Sequence, residues 1–206
     1  MSEQLAANGR LGLTPSQTVG PFLAIGLEWG DSGRLAVPEG TPGAFWIRGQ
    51  VLDGEGEPLP DALVEIWQAD PEGRFDHPDD PRGARPAAVP GFTGFARSST
   101  WNDTSTWSVH TLRPGPLPAR DVEDPDGPLE APHIDVSVLA RGMLDRVVTR
   151  IYFPDEPLND TDPVLSSVPE ERRHTLLAQK DAAGGSEAWR FDITLQGAGE
   201  TVFFEV

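Results

Sequence analysis

Eight short runs rich in β-branched and aromatic residues divide this chain, and Gly- and Pro-rich segments separate many of them. They span residues 45–52, 62–68, 94–98, 107–112, 134–140, 147–153, 190–195 and 202–206. Several runs alternate, so that Phe191, Ile193 and Leu195 share one face of a strand. Because almost no helix separates these runs, we expect an all-β fold, an antiparallel β-sandwich of about eight strands with long loops and one short helix.

The single helix is predicted after Pro169, where Glu170 and Glu171 precede two leucines, Leu176 and Leu177. Proline and acidic residues in a first turn are typical of a helix start, because they suit its unpaired N–H groups. The segment therefore predicts one short helix late in the chain.

Two long segments lack any strand pattern, residues 76–91 and residues 114–132, and both are crowded with Pro and Asp. Loops of this length in a compact domain often contact a partner, but solvated acidic loops explain the composition equally well. We expect residues 1–206 to form a single domain, with residues 1–21 as an extended N-terminal arm.

The charge balance narrows the range of partners. Sixteen Lys and Arg residues face 33 Asp and Glu residues, for a formal net charge of −17. Nucleic acids and anionic membranes require basic surfaces, so we expect neither as a partner. The chain has no cysteine, which excludes disulfides and thiolate metal sites. With no export signal and no apolar run long enough to span a membrane, a cytoplasmic protein is expected.

One histidine pattern could hold a metal. His133 and Asp135 lie on the same face of a predicted strand, and with His174 they would form a two-histidine, one-carboxylate Fe(II) site. His174, however, falls in the predicted helix. The alternative is that His133 and Asp135 only hydrogen-bond to each other or to neighbours. No nucleophile elbow or phosphate-binding glycine loop is present.

Seven ordered segments make the chain similar to the intradiol ring-cleavage dioxygenases. They span residues 14–22, 49–54, 64–70, 111–116, 131–134, 149–153 and 199–204. The resemblance is to the alpha-type, non-iron subunit of the two-chain members, which pairs with a beta chain and assembles into larger hetero-oligomers. It implies a β-sandwich and a complex that cleaves a catechol, here protocatechuate, with O2 and non-haem Fe(III) in aromatic compound degradation through the β-ketoadipate pathway.

The same resemblance locates the family's four iron ligands, two tyrosines and two histidines. Here the matching positions are Phe75, Leu117, His133 and Asp135, so one ligand of four is retained. Phe and Leu side chains offer no donor atom to Fe(III). The resemblance therefore implies that this chain holds no catalytic metal and that Fe(III) is held by the partner beta chain. From the arginines nearby in the sequence we hypothesise, separately, that Asp135 pairs with one of them.

The resemblance also implies substrate-binding positions, namely Thr18, Gly20 and Pro21 in the arm and Arg141 after a predicted strand. A guanidinium suits the ring carboxylate of protocatechuate. Eight strand residues span about 26 Å, so Arg141 is badly placed for the His133 region and better placed for a neighbour's site. The alternatives are an ordinary surface ion pair for Arg141 and an ordinary bend at Gly20.

Two other functions remain open from the residues alone. One is a self-sufficient non-haem Fe(II) oxygenase built on His133, Asp135 and His174. The other is a non-catalytic β-sandwich binding module, which would be stable without an obligate partner.

Overall fold

The computed structural model describes residues 17–18, 20, 22–27, 29–80, 82–119, 127–181 and 188–205. Its strands are β1 (Phe45–Leu52), β2 (Leu63–Trp67), β3 (Phe95–Ser99), β4 (Thr106–Thr111), β5 (Leu117–Pro118), β6 (Leu129–Glu130), β7 (His133–Leu139), β8 (Val147–Tyr152), β9 (Gln179–Lys180), β10 (Trp189–Arg190) and β11 (Ile193–Thr194). Its α-helices are α1 (Phe22–Gly26), α2 (Pro163–Ser167) and α3 (Glu170–Arg173), with 3-10 helices at Asp31–Arg34, Pro157–Asp160 and His174–Leu176. The fold is therefore mostly β.

The first six predicted strands match β1, β2, β3, β4, β7 and β8 to within one or two residues. The last two do not: the 190–195 run is split between β10 and β11, and the described part of the 202–206 run, residues 202–205, forms only an isolated bridge between Phe204 and Val148. The helix predicted after Pro169 is present as α3 followed by a 3-10 helix. The prediction of a single helix is wrong, because α1 and α2 form as well. Most of the predicted 1–21 arm lies outside the described residues.

Two larger sheets and one small ribbon make up the β structure of the described residues. The four-stranded sheet has the order β3-β2-β7-β8 and is antiparallel throughout. In the five-stranded sheet β1 pairs antiparallel with β4, whereas β10 and β11 run parallel to β1. The prediction of a purely antiparallel arrangement is therefore wrong for the pairing of β1 with β10 and β11. Strands β5 and β6 form the ribbon.

The break between β10 and β11 has a local cause at β1. A Cβ atom at Gly49 would lie 1.7 Å from the carbonyl oxygen of Phe191, so only glycine allows the two backbones to approach this closely. Next to it, the carboxylate of Asp192 accepts a hydrogen bond from the Gln50 N–H at 2.9 Å, in place of a backbone carbonyl. A side chain thus replaces one rung of the ladder and divides the strand.

The main core is one buried cluster that contains side chains from both larger sheets. Its members include Ile47 and Val51 of β1, Val64 and Ile66 of β2, Trp107 and Val109 of β4, and Ile134, Val136 and Val138 of β7. The alternate residues of β7, His133 and Asp135, face away from this core. A smaller cluster of Ala131, Tyr152, Leu165, Val168 and Leu176 lies beside them. Within the described ranges, no helix has the length and apolar character needed to cross a membrane.

Candidate functional site

Strands β6, β7 and β8 supply the residues of a polar cluster around Arg150. Strand β7 lies between β2 and β8, and the register places Asp135 opposite Trp67 on one side and Arg150 on the other. The Arg150 Nε donates a hydrogen bond to Asp135 Oδ1 at 3.0 Å, and its Nη1 donates to Glu130 Oε2 at 2.6 Å. The hypothesis that Asp135 pairs with a nearby arginine is confirmed, and the partner is Arg150.

His133 belongs to the same cluster and is neutral. Its Nδ1 donates a hydrogen bond to the Ala131 carbonyl at 2.7 Å, so the proton lies on Nδ1. Its Nε2 lies 3.7 Å from Glu130 Oε2 and 3.9 Å from Asp135 Oδ1. Burial lowers the pKa of His133, and the Arg150 guanidinium lowers it further, against the opposing effect of the two carboxylates.

Arg150 and Tyr152 keep fixed protonation states through the physiological range. Burial alone would lower the pKa of Arg150, but the Asp135 carboxylate and its other partners raise it overall. Burial raises the pKa of Tyr152, the only tyrosine in the chain, and the nearby Arg150 only partly offsets this. The Tyr152 hydroxyl lies 3.4 Å from Arg150 Nη1 and donates to Asp162 Oδ1 at 3.4 Å. The guanidinium is thus a permanent cation.

The resemblance matches two other positions, Phe75 and Leu117, to iron ligands. Each of them lies next to a residue that belongs to this cluster or pairs with one of its members. Phe75 stacks on Trp67 with ring centroids 5.7 Å apart and planes within 1°, and Trp67 pairs with Asp135. Leu117 lies opposite Glu130 in the β5–β6 ribbon. The structure therefore brings all four positions, far apart in sequence, to one place.

Glycines hold the two loops that carry Phe75 and Leu117. Gly73 adopts φ +70°, and a Cβ atom there would lie 2.1 Å from the Pro116 carbonyl oxygen. A Cβ atom at Gly115 would lie 2.4 Å from the Gly73 nitrogen. Both glycine N–H groups donate to the Asp70 carbonyl, each at 2.9 Å. The frame of both loops is thus built without any metal-binding side chain.

A buried carboxylate secures the beginning of the 76–91 loop. Asp80 accepts hydrogen bonds from the N–H groups of Phe75 and Arg82 at 3.0 and 2.9 Å, and pairs with the Arg74 and Arg82 side chains. Burial raises the pKa of Asp80, but the Phe75 N–H and the Arg82 contacts outweigh it and bring the pKa to about 2.

The Fe(III) implied by the resemblance does not fit these residues. Phe75 and Leu117 have no donor atoms, and a guanidinium links the carboxylates of Glu130 and Asp135. His174 does not complete an Fe(II) site either, since it lines a surface cleft with Arg190 and Thr201. Within the described ranges, no three His, Asp or Glu side chains form a group that could hold a metal.

The structure places the predicted substrate-binding residues elsewhere, beyond the opposite end of β7. The Arg141 side chain is 60% exposed, and its Nε lies 3.0 Å from Oδ2 of the buried Asp61. Thr18 Oγ1 accepts a hydrogen bond from the Gly142 N–H at 3.2 Å, which brings the arm next to Arg141. Gly20 has φ +66°, a conformation that favours glycine. Pro21 lies outside the described residues.

Sequence reasoning missed Glu130 and Asp61 in these two regions. It also did not identify Arg150 as the partner of Asp135. Glu130 and Asp61 are acidic residues at positions with no strand alternation to mark them as buried. The pairing of Asp135 with Arg150 follows from the β7–β8 register, with Ile134 opposite Ile151. That register could be guessed only if the length of the turn after Leu139 were known.

Comparison with known proteins gives a consistent result. A family profile described as "Dioxygenase" matches residues 31–197. The chain is 42% identical over 205 residues to a protocatechuate 3,4-dioxygenase alpha chain from Burkholderia cepacia, covering 94% of this chain and 97% of the relative. It is 32% identical to a protocatechuate 3,4-dioxygenase beta chain from the same organism, covering 83% of this chain and 73% of that one.

Solved structures agree. The dioxygenase domain of a dioxygenase and carbohydrate-binding protein fusion from Streptomyces sp. SirexAA-E superposes with a TM-score of 0.56 at 27% identity. The match covers 91% of this chain and all of that domain.

Proposed function

The chain belongs to the intradiol ring-cleavage dioxygenase family, and from this premise we propose that it is the alpha, non-iron subunit of a protocatechuate 3,4-dioxygenase. In this proposal a beta chain holds Fe(III), and the complex cleaves protocatechuate with O2 to 3-carboxy-cis,cis-muconate. The observation that carries the assignment is the Arg150 cluster, because a guanidinium paired with Asp135 and Glu130 leaves no ligand set for iron at these four positions. No observation favours a non-catalytic binding module.

The contribution of this chain would be recognition of the substrate carboxylate at the partner's site. Arg141 is exposed and follows β7, and one side of its guanidinium is held by Asp61. The remaining N–H groups of Arg141 are available to a carboxylate, with which a guanidinium forms charge-assisted hydrogen bonds. The contact between Thr18 and Gly142 sets the arm beside this guanidinium, and Gly20 lets the arm turn there.

Exposed apolar side chains in the same two segments support a partner surface. Phe22 and Ile25 of α1 lie two and five residues after Gly20 and are 77% and 66% exposed. Leu144, three residues after Arg141, is 66% exposed. Large apolar side chains at the surface mark association sites when they cluster. We therefore place the beta-chain interface at α1 and the β7–β8 turn, next to Arg141 and Thr18.

The test is co-expression of this chain with its candidate beta chain, followed by assay of protocatechuate cleavage. Arg141→Ala in the complex should raise KM for protocatechuate about 10- to 100-fold, since a hydrogen bond to a charged group is worth about 1.5–3 kcal/mol. Iron content should not change, and the affinity for catechol, which lacks the carboxylate, should not change. The matched control is Arg146→Ala, an exposed arginine in the same turn.

Three outcomes would contradict the proposal. They are a complex with no ring-cleavage activity, an isolated chain that opens catechols alone, and an Arg141→Ala variant with the KM of the Arg146→Ala control. The proposal also includes a single domain over residues 1–206 and a sandwich arrangement of the two larger sheets. It further includes a cytoplasmic location, which cell fractionation tests.

A further inference from the structure

Arg150 is a charged side chain in an enclosed place. Its side chain is 11% exposed, that of Glu130 is 4% exposed and that of His133 is 2% exposed. A buried charge is tolerated only where partners replace its hydration. Arg150 has three such partners, namely the carboxylates of Asp135 and Glu130 and the hydroxyl of Tyr152.

The groups around the guanidinium are of the kinds that bind metals. They are a neutral imidazole whose Nε2 carries no proton, and two carboxylates within 3.9 Å of that nitrogen. A tetrahedral ion with bonds of about 2.0–2.1 Å would hold its donors about 3.3 Å apart. The observed separations of 3.7 and 3.9 Å are wider. The Arg150 guanidinium instead bridges the two carboxylates through two different N–H groups, with Nε donating to Asp135 and Nη1 donating to Glu130.

We propose that the Arg150 guanidinium takes the place of a metal cation in this chain, as a built-in cation that balances Glu130 and Asp135 and closes the cluster to metal ions. Two features set this apart from an ordinary buried ion pair. The cluster gathers all four positions matched to iron ligands, through the neighbours of Phe75 and Leu117. The loops that carry those two positions keep their close glycine packing. In this proposal the glycine-packed loops still surround the site, and a guanidinium occupies it in place of a metal ion.

This inference predicts the chemical class of ligand that the cluster recognises once Arg150 is shortened. Arg150→Ala leaves two carboxylates facing a space the size and shape of a guanidinium group. Free guanidinium ion should then bind there, because it supplies the same planar set of N–H donors. At 10 mM, far below denaturing concentrations, it should stabilise the variant.

The experiment is thermal unfolding of the full-length chain at pH 7 with 10 mM guanidinium chloride or 10 mM sodium chloride. Arg150→Ala should lower Tm by about 10 °C, as expected for one partner lost from a buried pair. Guanidinium, and not sodium, should restore several degrees. The Tm of the Arg146→Ala control should be close to that of the wild type, and guanidinium should not raise it. If Arg150→Ala does not fold, Arg150→Lys is tested instead. Its Tm should lie between the Tm of the wild type and that of a folded Arg150→Gln variant, and guanidinium should not change it.

Three results would overturn the inference. The first is an Arg150→Ala variant as stable as Arg146→Ala, and the second is an Arg150→Ala variant that responds to guanidinium no more than to sodium. The third is a wild-type chain that, incubated with Co²⁺ alone, acquires a visible absorption band that is lost in His133→Gln. Neither readout depends on ring cleavage or on a beta chain, so this inference can fail while the proposed function stands.

Discussion

Gly73→Ala tests whether the two loops around the cluster are held by backbone packing alone. Its φ of +70° costs an alanine about 1–2 kcal/mol. The added Cβ would lie 2.1 Å from the Pro116 carbonyl oxygen, so the loops must separate by about 1 Å. That movement weakens the two hydrogen bonds to the Asp70 carbonyl, at about 1 kcal/mol each. Together these costs predict a loss of about 4 kcal/mol.

The matched control is Gly56→Ala in the β1–β2 turn. Gly56 has φ +84°, but a Cβ atom there would have no neighbour within 4 Å, so only the backbone strain of about 1 kcal/mol applies. In urea unfolding of the full-length chain, Gly73→Ala should lower the midpoint by about 2 M and Gly56→Ala by about 0.5 M. Equal shifts for the two variants would refute the close packing of these loops.

Two further predictions concern acid stability and assembly. Because the pKa of Asp80 is about 2 in the folded chain, below its usual value of 3.8, its contribution of about 2 kcal/mol is present above pH 4 and is lost as the pH falls from about 4 to 2. Urea unfolding from pH 5 to pH 2.5 should show this loss of stability in the wild type. Asp80→Asn should be less stable at pH 5, and its free energy of unfolding should depend less on pH. Parallel pH dependences for the two proteins would argue against this role of Asp80. Leu144→Glu should weaken binding of the beta chain at least tenfold in sedimentation analysis, whereas Trp101→Glu, in the β3–β4 turn, should not; equal binding by both variants would exclude the proposed interface.

The strands were predictable where both faces of the pattern were distinct. Strand β1 was predicted with its observed bounds, 45–52, because Phe45, Ile47 and Val51 share one face and Arg48 and Gln50 the other. The 202–206 run has the same β-branched and aromatic composition but forms only one bridge. Composition states what a segment could form, and the availability of a free strand edge decides whether it does.

The candidate site was predictable as a set of positions and not as a set of contacts. The resemblance to the family implied the positions Phe75, Leu117, His133 and Asp135, and the structure brings them together. The cation among them was not identifiable, because Arg150 reaches Asp135 across a strand register that local sequence does not encode. The parallel pairing of β10 with β1 was missed for the same reason.

That parallel pairing has a consequence for synthesis of the chain. Gln50 and Asp192, which are hydrogen-bonded to each other, are 142 residues apart. At about 5–20 residues per second, a ribosome needs on the order of ten seconds to make the intervening segment. During that time one edge of β1 has no neighbour from its own chain, and such an edge can pair with other nascent polypeptides. The last tenth of the protein therefore determines when this hazard ends, and a truncated product would retain it permanently.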